Sequence, residues 1–151
     1  MKKLLSPRDS KQLFCCLLFL LVLFGSYKGI AQSNTYSDAF IENCIREVYK
    51  NKADEFVFNS NSKRLSVIKD LFNNRFKIDT YKQAYESKGL TKLSSVGLVN
   101  KYNSGLARDA SFNPSTFNPL KYQLDIFPSN TVMYKVDNSN YVIIIKPSRN
   151  K

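Results

Sequence analysis

The chain has 151 residues, which suits one domain, and its 23 lysines and arginines against 12 acidic residues give a formal charge of +11. It contains no histidine, the commonest general base and metal ligand in proteins. Ser-His and Cys-His catalytic chemistry is therefore excluded, and zinc sites built from cysteine and histidine are disfavoured. The sequence contains no Gly-rich phosphate loop and no Asp-x-Asp calcium loop, so we predict no metal and no cofactor.

The first 31 residues have the layout of a secretory signal peptide. A basic start precedes an unbroken apolar run of 12 residues, Leu13 to Phe24, and small residues follow at Gly29 and Ala31. A membrane-spanning helix needs roughly 20 apolar residues, so this run predicts cleavage after Ala31 rather than a retained N-terminal membrane anchor, which is the alternative. We therefore predict a signal peptide (1–31) and an exported mature chain that resides in the periplasm or outside the cell.

Cleavage would change the charge and the cysteine content of the chain. Residues 1–31 carry five basic side chains and one acidic side chain. The mature chain therefore has 18 basic and 11 acidic side chains, a formal charge of +7. Cys15 and Cys16 would leave with the signal peptide, and the remaining Cys44 cannot form an internal disulfide. Because the lysines are spread along the chain, we expect no nucleic acid as a partner, although a polyanion-binding surface stays open as an alternative.

Residues 32–151 are predicted to form a single α+β domain, with its ordered part at about 35–146. Ser37 or Thr35 can cap a helix over Asp38–Lys50, where apolar residues recur at helical spacing. We expect this apolar stripe to pack on a sheet. Glu55–Asn59 alternates between apolar and polar residues and predicts a short strand.

The segment that follows allows two interpretations. Apolar residues that step by three and four predict a helix over Lys63–Asn73, and alternation then predicts a strand over Arg75–Tyr81. The alternative is a hairpin that turns at Asn73-Asn74, because asparagine tolerates left-handed backbone angles.

An irregular stretch, Leu106–Leu120, follows the strand-like segment Lys92–Val99. The stretch contains a near-repeat, Phe112-Asn113-Pro114 and Phe117-Asn118-Pro119. Proline pushes the preceding asparagine out of the helical region, so each unit is extended or turned. We expect each phenylalanine to enter the core and pin the loop.

Three runs at the C-terminal end predict an antiparallel meander, namely Lys121–Phe127, Thr131–Val136 and Tyr141–Lys146. The first run alternates, with Lys121 on its polar face. Asp137 to Asn140 is rich in turn residues and predicts a tight hairpin between the second and third runs. The last run is apolar on both faces, so we expect it at the centre of the sheet, with one or two amphipathic helices packed against it.

Two kinds of functional site remain possible. Hydrolysis by two carboxylates needs only a pair of acids at a set separation. The candidate acids are Glu42, Glu47, Glu86, Asp109 and Asp125. The pair Arg108 and Asp109, just before the Phe-Asn-Pro repeat, is the candidate for ligand binding, although anchoring of the loop by an ion pair is the preferred interpretation. We therefore predict an exported, non-catalytic binding or structural protein, with a carboxylate hydrolase or a polyanion-binding module as alternatives.

Several short segments resemble small uncharacterised exported proteins of Bacteroidota. The segments are the Ala31-Gln32 junction, Lys92–Val96, Asn100–Asn103, Arg108-Asp109 and Phe117–Tyr122. The resemblance implies export and implies no particular activity, cofactor or site.

Overall fold

The computed structural model describes residues 36–148, so the predicted signal peptide and its cleavage site lie outside the described residues. The elements in chain order are helix α1 (Asp38–Tyr49), helix α2 (Arg64–Asp70), and strands β1 (Phe76–Thr80), β2 (Thr91–Lys92), β3 (Val132–Lys135) and β4 (Tyr141–Ile145). The predicted small α+β fold is confirmed. In this part of the chain, no helix has the length and apolar character needed to cross a bilayer.

Helix α1 begins and ends where the sequence predicts. The Ser37 hydroxyl oxygen accepts a hydrogen bond from the Phe40 amide at 3.2 Å, and Lys50 ends the helix at a φ of 50°. The expected packing of its apolar stripe on the sheet is wrong, because the stripe instead faces other helical segments. This helical cluster consists of Ile41, Cys44, Ile45, Ala53, Val57, Ile68 and Phe72.

Two π-helical turns lie beside the helices. The predicted strand at Glu55–Asn59 is wrong, because Asp54–Phe58 forms one of these turns and buries Val57. Alternation over only five residues does not distinguish a strand from a single π-helical turn. The second turn, Leu71–Arg75, extends α2 and leads directly into β1. The helix-then-strand interpretation is therefore confirmed, and the hairpin alternative at Asn73-Asn74 is wrong.

The sheet has the strand order β1-β4-β3-β2. Strand β4 lies between β1 and β3 and is antiparallel to both, as its two apolar faces predict. Strand β2 is parallel to β3, so the sheet is mixed rather than wholly antiparallel. The predicted hairpin at Asp137–Asn140 joins β3 to β4, and Asn138 adopts the expected left-handed angle, with a φ of 51°.

The predicted first strand of the meander, Lys121–Phe127, is wrong. Its start belongs to a 3₁₀ turn, Pro119–Lys121, and the extended part forms a single antiparallel bridge between Tyr122 and Leu98. The amide of Gln123 donates to the carbonyl of Gly97 at 2.9 Å. The alternation therefore identified extended chain with a buried face, but this chain pairs with a distant loop and not with β3.

The loop from Leu106 to Leu120 is irregular, as predicted, and its phenylalanines do pin it. Phe117 is buried in the cluster under the sheet, with its ring centroid 6.2 Å from that of Phe76 and 5.2 Å from that of Tyr122. Phe112 packs on the edge of the same cluster, 5.0 Å from the Phe117 ring. This loop therefore reaches the sheet through aromatic contacts rather than through backbone pairing.

Candidate functional site

An open groove of about 510 Å³ lies between the irregular loop and the tip of the β3–β4 hairpin. We call it the hairpin groove, and its lining residues are Leu93, Ser94, Arg108, Asp109, Ala110, Ser111, Phe112, Tyr122, Val136, Asp137, Asn138 and Ser139. The groove brings Arg108 and Asp109, the candidate binding residues from the sequence, together with Asp137 of the hairpin. The sequence did not predict the contribution of Asp137.

Arg108 is fixed by main-chain acceptors. Its Nη1 donates to the carbonyl of Leu93 at 3.1 Å, and its Nη2 donates to the carbonyl of Val96. The guanidinium carbon lies 5.5 Å from the centroid of the Tyr122 ring, within range of a cation–π contact. Two of the five N–H donors of arginine are thus used, which leaves donors for a ligand.

Asp137 is hydrogen-bonded to the same turn. Its two carboxylate oxygens accept from the amide and the hydroxyl of Ser94, both at 2.8 Å. Burial raises the pKa of Asp137, but the hydrogen bonds from Ser94 outweigh it, so the pKa is lowered and the group is charged at neutral pH. One positive and one negative side chain are therefore both hydrogen-bonded to the 3₁₀ turn Leu93–Ser95 and the residue after it.

Asp109 turns to partners other than its neighbour Arg108. Its Oδ1 lies 2.6 Å from the Nζ of Lys121, and its Oδ2 accepts from the Tyr122 hydroxyl at 3.5 Å. None of the ion pairs found within residues 36–148 joins Arg108 to Asp109. Both residues anchor the loop, but they do so through separate contacts.

Lys121 is buried, although the sequence placed it on the polar face of a strand. Its side chain is only 6% exposed, and its Nζ contacts Glu47 Oε1 at 3.2 Å as well as Asp109 at 2.6 Å. The 3₁₀ turn that begins at Pro119 directs it inward. Burial lowers the pKa of Lys121, but the hydrogen bonds and charges of Asp109 and Glu47 outweigh this effect and raise it.

Asn118 completes this buried polar network. It is 2% exposed, and its Nδ2 donates to the Cys44 carbonyl and to Glu47 Oε2, both at 2.9 Å. Its Oδ1 accepts from the Leu120 amide at 2.9 Å, which caps the 3₁₀ turn. We call Glu47, Asp109, Asn118 and Lys121 the lysine network. It connects α1 to the irregular loop behind the hairpin groove.

The structure brings together one pair of the candidate acids, Glu47 and Asp109. The ammonium of Lys121 bridges these two carboxylates and occupies the space in which a glycosidic bond would have to lie. Glu42 instead pairs with Arg46 on the surface of α1 at 2.8 Å. The arrangement therefore stabilises the fold and does not resemble a hydrolase site.

A second concavity, of about 490 Å³, lies beside the end of α2. Its central charge, Arg75, is buried and already bonded to Asp70 at 2.6 Å and to the Ile126 carbonyl at 2.6 Å. The described residues contain no cluster of three or more potential metal ligands. The hairpin groove is therefore the better candidate for a site, because its arginine, Arg108, is exposed to a ligand whereas Arg75 is buried.

The chain was compared with known proteins at the level of families, individual sequences and folds. No protein-family model, curated protein or solved structure gives a significant match.

Proposed function

We propose that this chain is an exported, non-catalytic binding protein whose hairpin groove takes a small polar ligand that is neutral or cationic. The observation that carries the proposal is the convergence of Arg108, Asp109 and Asp137 on one cleft of about 510 Å³. Ligand sites are concave and contain a few polar groups that fix orientation. Export rests on the signal-peptide pattern of residues 1–31.

The charge of the groove favours this class of ligand. The groove carries one arginine and two aspartates, a formal charge of −1, within a chain of formal charge +11. Lys121 lies behind Asp109, and its charge is matched by that of Glu47. A locally negative cleft attracts cationic groups, accepts neutral groups without a charge penalty and repels polyanions. The polyanion-binding alternative therefore gains no support at this site.

The groove is also built to bind rather than to react. Arg108 and Asp137 are both held by the main chain of one turn, so little side-chain entropy is lost when a ligand binds. Of the candidate acids, the pair Glu47 and Asp109 is bridged by Lys121, which does not line the groove. Rigid polar groups around an open cleft fit a binding protein better than a hydrolase.

The proposal is tested by measuring binding to small ligands. The purified protein is titrated by NMR or calorimetry with cationic and neutral dipeptides and with neutral oligosaccharides, and heparin fragments serve as the anionic comparison. We expect binding by a member of the first group, with shifts at the amides of Ser94, Ser111 and Asn138. Binding of heparin fragments alone, or shifts elsewhere on the surface, would overturn the proposal.

A matched pair of variants locates the site. Ser111→Trp places a bulky ring in the groove at an exposed loop position, and Ser60→Trp does the same in an exposed turn outside the groove. We expect Ser111→Trp to weaken binding at least tenfold while Ser60→Trp leaves it unchanged, with similar melting temperatures for both. Equal affinity of the two variants would show that the ligand binds elsewhere.

A further inference from the structure

Strand β1 is the outer strand of the sheet. It pairs with β4 on one side, from Phe76 opposite Ile145 to Thr80 opposite Tyr141. Within residues 36–148, no other strand pairs with its outer edge. The opposite edge of the sheet is β2, which has only two residues. Strand β1 has five residues, and the outer edge of a strand can pair with a strand of another chain.

The hydrogen bonds at the two ends of β1 define which backbone groups face outward. The Lys146 amide donates to the Arg75 carbonyl at 3.0 Å, and the Tyr81 amide donates to the Asn140 carbonyl at 2.8 Å. In an antiparallel pair, alternate residues direct their N–H and C=O groups to the same neighbour. The odd-numbered residues of β1 therefore face β4, and the even-numbered residues face the open edge.

Ile78 is the even-numbered residue best placed to pair. The amide of Phe76 already donates to the carbonyl of Leu71, and the amide of Thr80 donates to Asp79 Oδ1 at 2.8 Å. Ile78 lies midway between them, with both backbone groups directed outward. Its side chain packs on the sheet cluster, which holds the strand in place.

Two opposite charges flank Ile78. Lys77 and Asp79 share one face of the sheet, and their Nζ and Oδ2 atoms lie 3.0 Å apart. The Lys77 side chain is 53% exposed and that of Asp79 is 21% exposed. Hydrogen bonding to Lys77 is the main reason why the pKa of Asp79 is lowered, and the aspartate is therefore charged at neutral pH. The edge thus presents a positive and a negative charge at equal distances from Ile78.

We propose that β1 is a homodimer edge, in which two copies pair antiparallel about a twofold axis at Ile78 and form one continuous eight-stranded sheet. Ile78 then forms a hydrogen-bonded pair with the partner's Ile78. Lys77 lies opposite the partner's Asp79, and Asp79 opposite the partner's Lys77. Opposite charges placed directly across two strands stabilise the pairing, and like charges weaken it.

Charge also disfavours the neighbouring registers, because an axis at Lys77 or at Asp79 would place that residue opposite its own copy, a contact between like charges. An axis at Phe76 would place Lys77 opposite the partner's Arg75, a contact between like charges. An axis at Thr80 would place the apolar Ile78 opposite the partner's Lys82. Charged residues on an edge strand usually prevent pairing between copies. Here the order Lys77-Ile78-Asp79 is self-complementary, so the charges favour one symmetric pairing.

The proposal is tested by sedimentation velocity on the product purified after expression of the full chain, from about 10 to 500 µM. We expect a concentration-dependent dimer that weakens as salt is added. Lys77→Glu gives an edge with two acidic residues, and Asp79→Lys gives an edge with two basic residues. Each change should weaken dimerisation on the order of tenfold or more, because both cross-strand pairs become like-charged.

Mixing the two variants provides the decisive comparison. Each variant alone has lost the Lys77–Asp79 pair within the chain, but a mixed dimer places acidic residues opposite basic ones at both positions. We expect the mixture to dimerise more tightly than either variant alone. The proposal would be overturned if the wild-type chain stays monomeric at 500 µM, or if the mixture dimerises no more tightly than either variant alone. A monomer that binds an extended peptide at this edge would also overturn it.

Amide exchange of the wild-type chain provides a readout that does not depend on how the variants fold. The Ile78 amide should exchange rapidly at about 10 µM and become protected at 500 µM, whereas amides of β4 should be protected at both concentrations. An Ile78 amide that exchanges at the same rate across this range contradicts the pairing.

Discussion

Replacing Lys121 with methionine tests whether the lysine network holds the irregular loop against α1. The substitution keeps the volume of the side chain but removes the charge between Glu47 and Asp109. Removing one partner of a fully buried ion pair costs about 3–5 kcal/mol. The two carboxylates are 42% and 37% exposed, so water compensates for part of this loss. We expect a decrease of about 2 kcal/mol in the free energy of unfolding.

The measurement is denaturant unfolding at neutral pH, with thermal unfolding in parallel. For a domain of this size, about 2 kcal/mol corresponds to roughly 6–10 °C in melting temperature. Lys69→Met is the matched control, because Lys69 pairs with Asp38 at 2.9 Å but the two side chains are 39% and 77% exposed. The control should cost less than about 0.5 kcal/mol. Equal costs for the two substitutions would refute the reasoning.

The pH dependence of Lys121→Met adds an independent check. Because the folded protein raises the pKa of Lys121 above its ordinary value of 10.5, the contribution to stability is fully present below about pH 10.5 and is lost as the pH rises through the folded value. The difference between wild type and variant should therefore be constant from pH 7 to 9 and shrink above 10.5. A difference that grows in alkali contradicts the assignment.

Three further outcomes follow from the structure and sequence. Asn118→Ala should lower the free energy of unfolding by about 2 kcal/mol, because it removes a buried side chain that makes three hydrogen bonds. Asn113→Ala in the exposed first repeat should lower it by less than about 0.5 kcal/mol. Burial raises the pKa of the Cys44 thiol to about 12, so a chromogenic disulfide reagent at pH 8 should react only as fast as the protein unfolds. The exported product should have the mass of a chain that begins at Gln32.

Each of these outcomes has a clear contrary result. Equal stability losses for the two asparagine variants would mean that Asn118 does not secure the loop. Rapid stoichiometric labelling of Cys44 in the native protein would contradict its burial. An exported product that retains the first 31 residues would support the membrane-anchor alternative instead.

Local sequence patterns correctly predicted those elements whose structure depends on residues close to one another in the sequence. The stripe and the Ser37 cap determined α1, and the apolar run Tyr141–Ile145 determined the central position of β4. The turn residues from Asp137 to Asn140 determined the hairpin. In these cases the hydrophobic period, the cap and the turn chemistry agree with one another, and the prediction is therefore reliable.

The errors arose where a distant contact overrides a local pattern. The alternation of Tyr122, Leu124 and Ile126 indicated extended chain, but the partner of that chain is the loop near Leu98, which no periodicity reveals. Lys121 looked like a surface residue because its two carboxylates come from positions 12 and 74 residues earlier in the chain. The sequence therefore predicted Arg108 and Asp109 as members of the candidate site. It did not predict the contacts of Asn118 and Lys121 in the lysine network next to that site.

The order of the strands has a consequence for the timing of folding. Among the strands of residues 36–148, β1 pairs with β4, which follows about 65 residues later, so the sheet cannot close until nearly all of the described chain has been synthesised. Until then, Phe76 and the other apolar residues of the cluster beneath the sheet cannot be buried. This order is compatible with the export proposed above, because a chain whose sheet closes last is still unfolded while it is being synthesised.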